Sequence, residues 1–150
     1  MKVLIAGGGT GGHLYSGIAV HEILARENKH EVRFIGTRDG LEARVLPERG
    51  IEVRFIPVSK FRRSGLSAKV ISVATLPLSG ICALIELLKF RPEVVLGVGG
   101  YASGPVVAAA GLLGVRRAII EQNSVAGFTN RLLGRFVGRA FVGLPGALSD

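Results

Sequence analysis

Two glycine-rich stretches and one short polar stretch hold the residues best placed to do chemistry in this chain. The first is Gly7-Gly8-Gly9-Thr10-Gly11-Gly12-His13, which follows an apolar run and precedes a helix-like segment. Glycines between a strand and a helix let backbone N–H groups turn toward one point, at the positive end of the helix dipole. That is an anion site, suited to a diphosphate. Gly7, Gly9 and Gly12 also satisfy the G-x-G-x-x-G spacing of dinucleotide-binding turns. No lysine follows them, so the Walker pattern is absent. His13 opens the helix, where the dipole favours the neutral, basic imidazole.

The second stretch, Gly97-Val98-Gly99-Gly100-Tyr101-Ala102-Ser103-Gly104-Pro105, has the same character, and Pro105 suits the first turn of a helix. The third is Glu121-Gln122-Asn123-Ser124. Each has a plainer structural reading beside the functional one. Glycines also make tight turns, and His13 can open a helix without a chemical role. Tyr101 can cap a core, Asn123 can serve a turn, and Glu121 can be a solvated carboxylate at a strand end.

Positioning three such loops together requires a particular scaffold. Runs rich in Val, Ile and Phe predict strands at Lys2–Ala6, Glu31–Ile35, Glu52–Ile56, Glu93–Gly97, Arg117–Glu121 and Arg139–Val142. Helices are predicted over Gly12–Glu27, Leu41–Glu48, Leu66–Phe90 with a break at Pro77, Pro105–Leu113 and Gly127–Phe136. The alternation predicts a doubly wound α/β fold, a Rossmann-like parallel sheet covered on both faces by right-handed crossovers. In the common strand order 3-2-1-4-5-6, strands one and four flank the switch point, where ligands of such sheets bind. Both glycine loops then open on one crevice, with the loop after strand five beside them.

Composition narrows the partners. Apolar residues make up 48% of the 150, which excludes a disordered chain and fits one domain better than two. The single cysteine, Cys82, excludes an intrachain disulfide, and the opening residues are too soon broken by glycine for a signal peptide. A cytoplasmic protein is expected. The formal charge of +8 invites nucleic acid, an anionic membrane or a phosphorylated small molecule. Aromatics are only 6%, Trp is absent and the basic residues are dispersed, so no nucleic acid partner is expected. Val70–Ile85 carries no charge and is flanked by Lys60, Arg62, Arg63 and Lys69 on one side and Lys89 and Arg91 on the other. It is too short and too interrupted for a membrane span of ~20 residues. A buried crossover helix and an interfacial surface with a basic rim are the two readings left open.

Taken together and in order, Gly8–His13, Gly99–Pro105 and Glu121–Gly127 resemble the MurG family, transferases that add N-acetylglucosamine to lipid I in peptidoglycan synthesis. The likeness runs over essentially the whole chain, including Phe61–Leu66. It implies two Rossmann-like domains of the glycosyltransferase B kind. Residues 1–150 correspond to the acceptor-binding N-terminal one, and the C-terminal donor-binding domain is absent from this chain. The resemblance further implies that Thr10, Gly11, Gly12 and Asn123 touch the donor UDP-N-acetylglucosamine. Gly9, Gly99, Gly100, Tyr101, Ser103 and Gly104 would cradle the diphosphate of an undecaprenyl-linked acceptor. His13 and Glu121 are the family's candidates for acid–base work. The location implied is peripheral, at the cytoplasmic face of the cell membrane, docked on an anionic membrane surface. Two positions depart from the family's usual pattern: Ser16 stands where Pro is common, and Ile120 where His often precedes the Glu-Gln-Asn.

The implied reaction is a single displacement that inverts the anomeric centre, with His13 as base and Glu121 orienting it or substituting for it. No Asp-x-Asp or His/Cys cluster occurs, so no metal and no cofactor are expected in this half. One rival is an NADP-dependent oxidoreductase, drawn from Gly7, Gly9 and Gly12. The residues Gly36-Thr37-Arg38 lack the acidic group that the second strand of a nicotinamide-binding turn supplies. Other rivals are an acceptor-binding, membrane-docking subunit of a split transferase, and a related transferase acting on diacylglycerol or another lipid.

Overall fold

A computed structural model describes residues 1–58 and 66–148, with residues 66–74 described by their backbone alone. Six strands run through it: β1 (Lys2–Gly7), β2 (Glu31–Gly36), β3 (Val53–Phe55), β4 (Val94–Gly99), β5 (Arg116–Glu121) and β6 (Arg139–Val142). Five helices connect them: α1 (Gly11–Arg26), α2 (Glu42–Glu48), α3 (Leu66–Phe90), α4 (Ser103–Leu112) and α5 (Phe128–Leu133). All pairings are parallel, as the alternation of elements predicts, and the order is β3-β2-β1-β4-β5-β6, the common one for such sheets.

The reason is visible in β1. Its residues alternate between two apolar layers, because successive side chains leave opposite faces of a strand. Leu4 and Ala6 join Ala83, Leu87 and Phe90 of α3 and Val106 and Ala110 of α4. Val3 and Ile5 join Leu14 and Ile18 of α1 and Leu46 of α2. A strand buried on both faces is what a doubly wound sheet demands. Each fully buried Leu or Ile contributes roughly 1.5–3 kcal/mol relative to exposure.

Most element ends shift by a residue or more from expectation, and three differences have a clear local reason. β4 continues two residues past Gly97, because Gly99 still pairs with Gly7 beyond an irregularity in the β1 register. Helix α4 begins at Ser103, so Pro105 falls within its first turn. Helix α3 shows no break: it runs continuously from Leu66 to Phe90 with Pro77 inside. A proline costs its helix one hydrogen bond, and that loss is offset here by packing. Ser79, Ala83, Leu87 and Phe90 are all fully buried along one face. The Ser79 hydroxyl also lies against the carbonyls of Thr75 and Pro57, tying the helix to the residues after β3.

The opposite face of α3 settles part of the open reading of the apolar stretch. Leu78, Ile81, Ile85 and Leu88 are all at least 43% exposed and recur at helical spacing, so this helix is both a crossover and an apolar surface. Among the described residues no helix is long and apolar enough to cross a membrane. Lys60, Arg62, Arg63, the side chain of Lys69 and the Phe61–Gly65 part of the resemblance lie outside the described residues.

Candidate functional site

The three loops meet at the carboxyl end of the sheet. Gly8 donates its amide to the Gly99 carbonyl at 3.2 Å, joining the β1–α1 turn to the β4–α4 turn. Gly100 has φ of +82°, and a Cβ there would overlap the Gly8 backbone. Only glycine permits both that conformation and that approach. Gly99, at φ +95°, lies under the His13 ring, and a Cβ on it would come within 2.5 Å of the imidazole. The third loop completes the junction: the Gln122 carboxamide nitrogen is 2.7 Å from His13 Nδ1. His13 is therefore the point where all three expected loops touch.

The α1 N-terminus contributes the anion-binding geometry. Thr10 is its N-cap and makes no capping bond with its own hydroxyl, which stays exposed. The amides of Gly11, Gly12 and His13 are among those that an α-helix leaves without intrahelical partners. Tyr101 is 43% exposed at the tip of the second loop.

Two buried carboxylates hold these loops from below. Glu42, 1% exposed, accepts from the Gly9 amide at 2.6 Å, the Thr37 amide at 2.8 Å and the Thr37 hydroxyl at 2.9 Å. A Cβ at Gly8, Gly36 or Gly40 would strike this carboxylate, so three glycines make room for it. Its engagement corrects one expectation: the Gly9 amide is occupied from within and is not free to bind an acceptor diphosphate. Glu42→Ala leaves two amides and a hydroxyl unpaired around a cavity. Chemical denaturation of the variant is expected to show a loss of about 3 kcal/mol.

Glu121 is fully buried and accepts four hydrogen bonds. Oε1 takes the Asn123 amide at 2.9 Å and the Asn123 carboxamide at 2.8 Å. Oε2 takes the Gly127 amide and the Asn130 carboxamide, both at 3.0 Å. Burial pushes its pKa up, but these four donors outweigh it and hold the carboxyl below its ordinary range. Glu121 does not orient His13, contrary to expectation. Its lone pairs are taken by the loop that follows it and by Asn130 on α5, and Gln122 makes the contact instead. Asn123 is exposed with its side-chain nitrogen committed to Glu121, leaving its carbonyl oxygen for a ligand.

Ser103 is a third correction. It is fully buried, with its hydroxyl lodged against Gly97 beneath the loop, so that hydroxyl does not reach the crevice. Gly104 lies close to the methyl of Thr129 on α5, and only its backbone can serve the loop. Sequence reasoning missed Glu42, Gln122 and Asn130. Glu42 sits five residues beyond Thr37 at a helix start, a signal indistinguishable from an acidic residue of any first helical turn.

A parallel six-stranded sheet with two glycine turns facing each other across its switch point is a Rossmann-like domain, of the kind found in glycosyltransferase B folds. The chain belongs to the family described as the glycosyltransferase family 28 N-terminal domain, whose model matches residues 3–142. It is 50% identical, over 99% of its length and 42% of the relative's, to a protein of Citrifermentans bemidjiense. That relative is named UDP-N-acetylglucosamine--N-acetylmuramyl-(pentapeptide) pyrophosphoryl-undecaprenol N-acetylglucosamine transferase. A Geotalea uraniireducens protein of the same name is 51% identical, over 96% of this chain and 40% of its own. The crystal structure of Acinetobacter baumannii MurG superposes with a TM-score of 0.85 at 32% identity, over 96% of this chain and 42% of that one. The chain thus spans about two fifths of the length of the curated relatives it matches. A UDP-GlcNAc 2-epimerase from Neisseria meningitidis, at 18% identity and a TM-score of 0.58, shares the fold alone. The family match does not favour the oxidoreductase reading.

Proposed function

We propose that this chain is the acceptor-binding domain of an enzyme that transfers N-acetylglucosamine from UDP-N-acetylglucosamine to the muramyl 4-hydroxyl of lipid I. The observation that carries the reading is His13, held where three loops of a family 28 domain converge. His13 Nε2 takes the proton of the acceptor hydroxyl as its oxygen bonds to the anomeric carbon. The bond from that carbon to the donor phosphate breaks on the opposite face, and UDP leaves with the electron pair. General-base assistance of this kind contributes about a hundred- to ten-thousand-fold. Thr10, the first amides of α1 and the Asn123 carbonyl face the donor. Gly99, Gly100, Tyr101 and the Gly104 backbone face the acceptor diphosphate. A second domain supplies most of the nucleotide pocket, and catalysis uses no metal or cofactor from this half.

The test is transfer from UDP-N-acetylglucosamine to a lipid I analogue by the longest natural chain containing these residues. Transfer supports the reading. Acceptor binding without transfer would point to a subunit of a split enzyme, and neither would redirect the search to other lipid acceptors.

The lipid-linked acceptor requires the enzyme to work at a membrane surface. The stripe of Leu78, Ile81, Ile85 and Leu88 on α3, with Lys89 and Arg91 beside its end, is suited to the interface of an anionic bilayer. Ile81→Asp combined with Ile85→Asp is expected to lower partitioning of the complete protein onto phosphatidylglycerol vesicles by roughly tenfold or more. Both side chains are exposed, so thermal stability should change little. Unaltered cosedimentation would remove this face from membrane docking.

A further inference from the structure

The contact that fixes His13 comes from a residue with no role so far. The Gln122 side chain is partly buried, with its carboxamide nitrogen 2.7 Å from Nδ1 and its Oε1 buried without a partner. Neighbouring backbones flank it in ordinary van der Waals contact: a Cβ on Gly12 would stand 3.5 Å from the Gln122 Nε2, and a Cβ on Gly143 would stand 3.4 Å from the Gln122 Cα. The chain on either side is pinned as well. Glu121 is locked by its four donors, and the Glu121 carbonyl accepts from the Gly143 amide at 2.8 Å.

A histidine acts as base through Nε2 only when its proton resides on Nδ1, and an acceptor at Nδ1 selects that tautomer. Neither buried carboxylate of this end of the sheet provides one. Glu42 is turned to Gly9 and Thr37, and Glu121 to Asn123, Gly127 and Asn130. Gly99, beneath the ring, offers no side chain. The Gln122 carboxamide is the group at Nδ1, and a half-turn of its last torsion exchanges nitrogen for oxygen at the same contact.

We infer that Gln122 is the positioning residue for His13: its Oε1 accepts the Nδ1 proton, fixes the tautomer and leaves Nε2 aimed into the crevice as the base. This rests on the reading of His13 given above. The carboxamide does for this imidazole what a carboxylate does in a hydrolase triad, without adding charge beside a diphosphate site. A neutral partner leaves the site's positive potential intact for phosphate.

The test uses the complete enzyme with Gln122→Met and Gln122→Glu, read by kcat, KM for each substrate, the pH profile of kcat and the ring-nitrogen NMR shifts of 15N-histidine-labelled protein. Gln122→Met is expected to lower kcat by roughly a hundredfold, as misplacement of a reacting group does, with KM little changed, and to move the His13 signals away from the Nδ1–H form. Gln122→Glu retains an acceptor and adds a negative charge. It should keep the Nδ1–H tautomer and shift the acidic limb of the kcat profile upward by about one unit or more. A kcat and a tautomer unchanged in Gln122→Met, or an acidic limb unmoved in Gln122→Glu, overturn the inference. Should the Met variant fail to fold, the Glu variant and the wild-type tautomer decide it, and a wild-type Nε2–H form in the donor complex counts against it. Failure of the underlying reading looks different: His13→Ala then transfers normally, or the wild type transfers nothing.

Discussion

Glu121→Ala is expected to destabilise the chain by about 3 kcal/mol, read by chemical denaturation at neutral pH. The carboxylate is wholly buried and accepts four hydrogen bonds. Truncation leaves the Asn130 carboxamide, itself 1% exposed, with only its bond to the Ile120 carbonyl, and releases the turn that leads into α5. Gln is not expected to rescue. Its oxygen can replace only one carboxylate oxygen, and its NH2 would then face either the Asn123 pair of donors or those of Gly127 and Asn130. The effect has a defined pH dependence. The folded pKa lies below the ordinary carboxylate value, so on acidification the unfolded chain takes up the proton first. Stabilisation by Glu121 is complete above the unfolded value of about 4.3 and is lost as pH falls through the lower folded value. The gap between wild type and Glu121→Ala should therefore narrow in acid and stay constant from pH 6 to pH 8. A gap that widens on acidification would contradict the hydrogen-bonded, ionised carboxylate.

His13→Ala in a complete enzyme is expected to lower kcat by about a hundred- to ten-thousand-fold while leaving donor KM nearly unchanged. The ring sits at the start of α1, over Gly99 and beside Gln122, and belongs to neither apolar cluster. Its loss therefore leaves the sheet intact, and the change in stability should be small. That separates it from Glu121→Ala, whose effect on activity would follow from a displaced loop. Steady-state kinetics at saturating and limiting donor distinguish the two. Turnover equal to wild type would end the case for His13 as the base.

How much of this was legible beforehand varies by residue. The doubly covered parallel sheet followed from periodicity, because a strand such as β1 with apolar residues on both faces must be covered twice. The meeting of the glycine loops was conditional on the common strand order, in which strands one and four flank the switch point, and the folded sheet has that order. The roles of individual side chains did not follow. Glu42 reaches Gly9 across 33 positions and Gln122 reaches His13 across 109. Local pattern carries no information about such contacts. Glu121 reads as an acid–base candidate from its place at a strand end, and only its four donors reveal a loop anchor. Pro77 reads as a break, because propensity is local while the packing that carries α3 through it is not.

The sequence by itself determined the alternation of elements, the two glycine turns and the family to which they belong. These depend on side-chain periodicity and backbone freedom, which are properties of neighbouring residues. Tertiary structure alone decided which amides are free, which carboxylates are consumed as anchors, and which side chain faces His13. Those outcomes depend on the distances between loops that only the folded sheet brings within hydrogen-bonding reach.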